Sequence, residues 1–264
     1  MKQLVLLVLN SLTFLVVLFL NYLTGTGALN NSSVGEISDR YFNLFTPAGY
    51  AFAIWGVIYL FLFAFVSYQW YAWLKKRDDE YINATGIWFI ISNLANGMWI
   101  IAWTGDRIGL SFLLILILLL SLVNLMFRLR LEIWDAPLRI IAFVWWPICI
   151  YLGWIIVATL ANFASWSVSL NPGGSFALQE GWVVVMIVFT AIVYSLLIYF
   201  RNMREAAVVG VWALVAIAVN HWQEAKIVAY AALIASALLL IYSGVQASTN
   251  KETLPHKKFR RGEI

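Results

Sequence analysis

Ser92, Asn96, Trp99 and Trp103 recur at i, i+4, i+7 and i+11, which puts two hydrogen-bonding side chains and two indoles on one helical stripe. Asn93 lies three residues before Asn96. Amides in an apolar setting need partners. They can bond to neighbouring helices as glue worth about 1 kcal/mol each. Equally, they can offer donors and acceptors to a ligand, with Trp99 and Trp103 as walls. A second group is Phe52, Trp55 and Tyr59, spaced by three and four and so on one face. It follows a turn in which Pro47 fixes its own φ and biases Thr46 toward extended backbone. Gly49 lets the chain bend there, and Tyr50 follows. A loop folding back on an aromatic face can form the lid of a pocket. A third group is Trp145-Trp146-Pro147, then Tyr151 and Trp154. Pro147 cannot donate to the Phe143 carbonyl and should kink its helix. The kink can open a ring-lined concave surface, or be a simple bend in a packed bundle.

Rings and amides can line a ligand cavity, but they do not by themselves make or break bonds. The sequence holds no paired carboxylates, HExxH, nucleophile elbow or phosphate loop. The lone Cys149 sits in an apolar run, with no second cysteine to pair and no Cys/His cluster for a metal. It reads as a small core residue. His221 reads as interfacial. No Asp, Glu, Lys or Arg lies deep in an apolar run, which argues against an ion-coupled pump or carrier. No catalysis is assigned, no cofactor is required, and no nucleic-acid partner is expected.

The elements that must position these groups are transmembrane helices. Hydrophobic residues make up 63% and charged residues 11% of the 264, with a mean hydropathy of +0.85. Soluble domains carry about 25% charged residues. Apolar runs of about 20 residues recur throughout, and only helices satisfy their own backbone inside lipid at that length. The expected fold is an all-α polytopic bundle of eight spans, near 4–24, 50–73, 85–104, 108–128, 139–161, 181–200, 205–221 and 226–247. The first reads as a retained helix, with a signal peptide as the alternative. With the N-terminus inside, 14 of the 17 Lys and Arg fall on the cytoplasmic side. Only Arg40, Arg107 and Lys226 fall outside. This bias predicts both termini in the cytoplasm. Short loops suit a bacterial or archaeal plasma membrane. The Asn30-Asn31-Ser32-Ser33 sequons leave a eukaryotic one open. Trp70, Trp73, Trp88, Trp182 and Trp222 lie near span ends, where indoles anchor at the interface.

The order of a Thr46-Pro47 loop, an aromatic helix, an Asn93-x-x-Asn96-x-x-Trp99 helix, a plain apolar helix and a Trp146-Pro147/Tyr151-Leu152 helix resembles the TspO/MBR family of tryptophan-rich sensory or translocator-type membrane proteins. The resemblance covers about residues 1–163, as a five-helix core. A loop at 164–180, three added helices at 181–247 and a basic tail at 248–264 would follow. Tyr50 stands where the family commonly has Trp, and Gly153 where it usually has Asn. The resemblance implies binding of a tetrapyrrole such as protoporphyrin IX, or of a sterol, in a role of receptor, transport or porphyrin breakdown; the alternatives are a facilitative transporter of a small hydrophobic solute and a membrane assembly or interaction protein without a small ligand. It also implies a homodimer, although no span carries Gly-x-x-x-Gly. The implied lining is Phe52, Trp55, Asn96, Trp99, Trp146 and Trp154, under a lid formed by residues 25–49 that includes Pro47 and Gly49 and leads into Tyr50.

Overall fold

The computed structural model describes residues 2–250 and 255–262; Lys251, counted in the charge bias, lies outside them. Eight long helices run through the described residues: α1 (Lys2–Gly25), α3 (Ile54–Lys75), α5 (Trp88–Thr104), α6 (Ile108–Arg128), α8 (Trp146–Leu170), α9 (Glu180–Arg201), α10 (Arg204–Asn220) and α11 (Lys226–Thr249). Short helices α2 (Val34–Arg40), α4 (Glu80–Thr85), α7 (Leu138–Ile140) and α12 (Pro255–Arg260) fill the connections. No strand occurs among the described residues. Six segments are long and apolar enough to cross a membrane. The other two, α5 and α10, have 17 residues each, about 26 Å and the short end of what spans a bilayer.

Packing order differs from chain order. α5 lies between α1 and α6; α8 packs on α6, α3 and α10; α11 closes against α10 and α9. Because lipid is as apolar as leucine, close packing and polar bonds hold such helices together. Trp70 Nε1 donates to Ser11 Oγ at 2.8 Å, and Asn93 Nδ2 to Thr13 Oγ1 at 3.1 Å. These two bonds tie α3 and α5 to α1, so Asn93 serves as helix glue.

The three later helices meet the rest at one tight contact. A Cβ added at Gly153 would sit 2.8 Å from the Ala206 carbonyl oxygen and 2.9 Å from its Cα. Only glycine lets α8 and α10 backbones approach this closely. Tyr194 of α9 covers the junction. Its hydroxyl donates to the Gly153 carbonyl at 2.6 Å, and its ring occupies the space a Cβ on Gly210 would need. The absence of a side chain at position 153 is thus a steric requirement set by α10.

The helix pattern changes just before Pro147. The backbone makes one wide turn at Ile141–Trp145, in which the Trp146 N–H reaches the Ile141 carbonyl. The helix continues through Pro147, whose missing N–H falls immediately after this wide turn. α8 continues to Leu170, nine residues beyond the expected end at 161.

One end of the bundle gathers the basic residues. Asp78 accepts from Arg139 Nε at 2.7 Å and from the Tyr68 hydroxyl at 2.7 Å. Arg128 Nε donates to the Ala84 carbonyl at 2.7 Å, and Arg201 Nη1 to the Met126 carbonyl. On α12, buried Lys258 pairs with Asp135 and donates to the Ala136 carbonyl at 2.8 Å.

Gly153→Val should cost about 2 kcal/mol by overpacking, seen as a lower Tm in detergent. Gly56→Ala, with nothing within 4 Å of the new Cβ, should be neutral or stabilising by up to about 1 kcal/mol. Equal effects would remove Gly153 as the docking point. The bond from Arg139 holds the Asp78 carboxyl below the ordinary aspartate range. A depressed carboxylate stabilises above its unfolded pKa and loses that contribution as pH falls through its folded pKa. Thermal stability of the wild type should therefore fall below about pH 4 by more than that of Asp78→Asn; parallel pH profiles would refute this.

Candidate ligand-binding site

At the end opposite the basic cluster, the rings of α3, α5 and α8 converge. Trp55 lies 5.7 Å from Trp99, 6.1 Å from Tyr151 and 6.4 Å from Trp154 between ring centroids. Trp99 stacks on Trp103 at 6.1 Å, and Phe52 meets Trp154 edge-on at 6.2 Å. These rings surround a cavity of about 30 Å³, roughly the volume one water takes in the liquid. Phe52, Trp55, Trp99, Trp103 and Trp154 form its aromatic wall; Asn162 and Ser165 of α8 add polar groups; Val34, Ser38, Thr46 and Pro47 cover it.

The indole N–H groups are unequally used. Trp99 donates to Asn162 Oδ1 at 3.0 Å, and Trp103 to the Val34 carbonyl at 3.0 Å. Trp154 is 2% exposed, yet its N–H has no acceptor among the described residues. A buried N–H without an acceptor costs about 1–3 kcal/mol. The cavity thus offers apolar, aromatic faces and one unfilled donor.

The cover is the 26–53 segment, fastened at several points. Asn30 Nδ2 donates to Thr104 Oγ1 at 3.0 Å, and Arg40 pairs with Asp106 at 2.8 Å. Nearby Tyr41 has its phenol pKa raised by burial and by the Asp106 carboxylate. The Leu44 N–H reaches the Ala177 carbonyl, and the Ala48 N–H the Ala216 carbonyl, both at 3.0 Å. Asn220 Nδ2 and His221 Nε2 both approach the Thr46 carbonyl, at 3.0 and 3.1 Å. A carbonyl can only accept, so His221 carries its proton on Nε2 in this arrangement. His221 is buried rather than interfacial; the lid folds over it.

A family model described as TSPO-like protein matches residues 7–245. The chain belongs to the TSPO-like family. The match runs past residue 163 through most of α11, so the later helices of this TSPO-like protein lie within the matched region. No curated protein and no solved structure matches the chain. Family membership and six apolar helices make it an integral membrane protein.

The structure brings Phe52, Trp55, Trp99, Trp154 and Pro47 around one cavity and places the other expected residues elsewhere. Asn96 lies one turn below Trp99 and donates to the Tyr151 hydroxyl at 2.6 Å. Trp146 lies eight residues before Trp154, about 12 Å down α8, and donates to Glu205 Oε1 at 3.2 Å. Gly49 starts the 3-10 turn Gly49–Ala53. Tyr50 is half-exposed and packs edge-on against Trp212 at 5.3 Å. Asn162 escapes the sequence reading because the fifth span was ended one residue before it. An amide eight residues after Trp154, in an otherwise apolar run, was the available signal.

Removing the donors on the Thr46 carbonyl should loosen the lid of this TSPO-like protein. Asn220→Ala and His221→Ala should each speed amide exchange at Ala48 about fivefold, for a bond worth about 1 kcal/mol. Unchanged exchange in the double variant would show that the two donors do not hold the lid.

Proposed function

We propose that the lidded cavity binds a flat hydrophobic ligand of the tetrapyrrole class. The observation carrying this reading is the convergence of four indoles and Phe52 on one covered space, with the Trp154 N–H unfilled. Broad aromatic faces suit a planar macrocycle, and a buried donor suits a carboxylate or carbonyl on its rim. Asn162 and Ser165 supply further polar contacts there. Family membership supports the reading at the level of the family alone.

Size adds a mechanism. Sites for molecules of this class are on the order of 300–1,000 Å³, against about 30 Å³ here. The closed form therefore has rings where the ligand would go. Binding requires the lid to lift and Trp55, Trp99 and Trp154 to part. Affinity would be reduced by the fraction of time the lid is open, so releasing the Thr46 carbonyl should speed association.

In this reading the ligand enters from the lid end, and the 14-to-3 charge bias supports that end facing outward with both termini in the cytoplasm. If the protein degrades the macrocycle in light or oxygen, oxidation would pass through Trp55, which lies beside Trp99 and Trp154. Trp146 is too remote to take part.

Protoporphyrin IX titration followed by Trp fluorescence tests the proposal. Saturable micromolar quenching is expected, weakened about tenfold in Trp154→Phe and in Trp55→Phe and unchanged in Trp146→Phe. Linear quenching identical in all four proteins would mean partitioning into detergent and lipid, and would end this reading.

A further inference from the structure

A second groove opens toward the membrane where α3, α8 and α10 meet, with a volume of about 460 Å³. Ile54, Val57, Ile150 and Val208 make its apolar walls, and Val57 and Val208 are exposed to the lipid side. Trp146, Arg204 and Glu205 form its other end. Larger grooves elsewhere, such as that between α9 and α11, carry no charged side chain. They can accept any acyl chain.

The charged end is unfinished. The Trp146 N–H occupies Glu205 Oε1, but Glu205 Oε2 and Arg204 Nε have no partner among the described residues, and neither side chain makes an ion pair there. Glu132, in the connection before α7, lies close to Glu205 and also has an unpartnered carboxyl oxygen. Burial and the Glu205 charge raise its pKa, while Arg204 and Lys258 lower it. Buried polar and charged atoms ordinarily have a hydrogen-bond partner. What is missing is a hydrogen-bonding partner for Arg204 Nε and a donor for the second carboxylate oxygen of Glu205, joined to a chain that fills the apolar walls.

We propose that this groove is a binding site for a phospholipid with an aminoethyl phosphate head. The phosphate meets Arg204, whose planar fork suits phosphate oxygens. The ammonium donates to Glu205, and one acyl chain lies between α3 and α10. Placement agrees: Arg204 begins α10 at the basic end, so the head sits near that surface and the tail points inward. A choline head has no N–H to donate. A glycerol head has no positive charge.

Native mass spectrometry of the full chain tests this, after incubation with an equimolar mixture of phosphatidylethanolamine, phosphatidylcholine and phosphatidylglycerol with identical acyl chains. The ethanolamine adduct should exceed each of the others at least threefold. Arg204→Gln and Glu205→Gln should each level the ratio, and Val208→Trp should abolish the excess by filling the groove. Val57→Trp, on the exposed wall of the other side, gives a second blocking variant should the first not fold. Trp154→Phe should leave the excess unchanged, which separates this site from the tryptophan cavity. Equal adducts of all three lipids, a preference for the glycerol head, or an ethanolamine excess that survives Arg204→Gln would each overturn the proposal.

Discussion

The contact between the Gly153 and Ala206 backbones fixes nearly everything else. It lets α10 lie directly against α8, and Tyr194 holds it there by bonding one helix and covering Gly210 on the other. Once α10 is placed, its C-terminal end stands under Thr46 and Ala48 and carries the lid. Its N-terminal end brings Arg204 and Glu205 beside Trp146. One end of this 17-residue helix therefore meets the cover of the tryptophan cavity and the other meets the groove between α3 and α8. Inside a bilayer no hydrophobic force pulls helices together, so this close steric fit has an importance that burial has in a soluble core.

The architecture was readable because bilayer physics leaves few choices. Eight apolar runs became eight long helices, and their ends moved by only a few residues apart from the extension of α8. The rings at Phe52, Trp55, Trp99 and Trp154 were findable because helical spacing put them on inward faces. What could not be read was depth and return. Trp146 shares a helix with Trp154, yet sits two turns too low to share its cavity. Asn96 looked free to meet a ligand because its partner, Tyr151, belongs to a helix 55 residues away. His221 looked interfacial because nothing local says that a loop 175 residues earlier folds over it. Gly153 looked like a lost polar contact, and only the later helices show what takes the space.

The tryptophan cluster is a packed core that stops just short of closing. Ring centroids 5.7–6.4 Å apart around Trp55 lie within the favourable range for aromatic pairs. Trp99 bonds to Asn162 and Asn96 Nδ2 to Tyr151 beside them, while Asn96 Oδ1, the Tyr59 hydroxyl and the Trp154 N–H have no partner among the described residues. Of these, the Trp154 N–H belongs to a residue that lines the cavity itself. A wall this well packed can hold its shape without an occupant, and it separates the cavity from the lipid around it.

The long reach of the lid's fastening sets an order of events during synthesis. Thr46 leaves the ribosome long before Asn220 and His221, which lie 174 and 175 residues later. At about 5–20 residues per second, that gap is roughly 9 to 35 s. Throughout it α1, α3, α5, α6 and α8 can already stand together in the membrane, with the covering loop lacking its final anchors. The nascent protein thus has a period in which its interior is more accessible than it will be once translation ends. A molecule present at the insertion site could be enclosed then, and the mature chain would exchange it slowly.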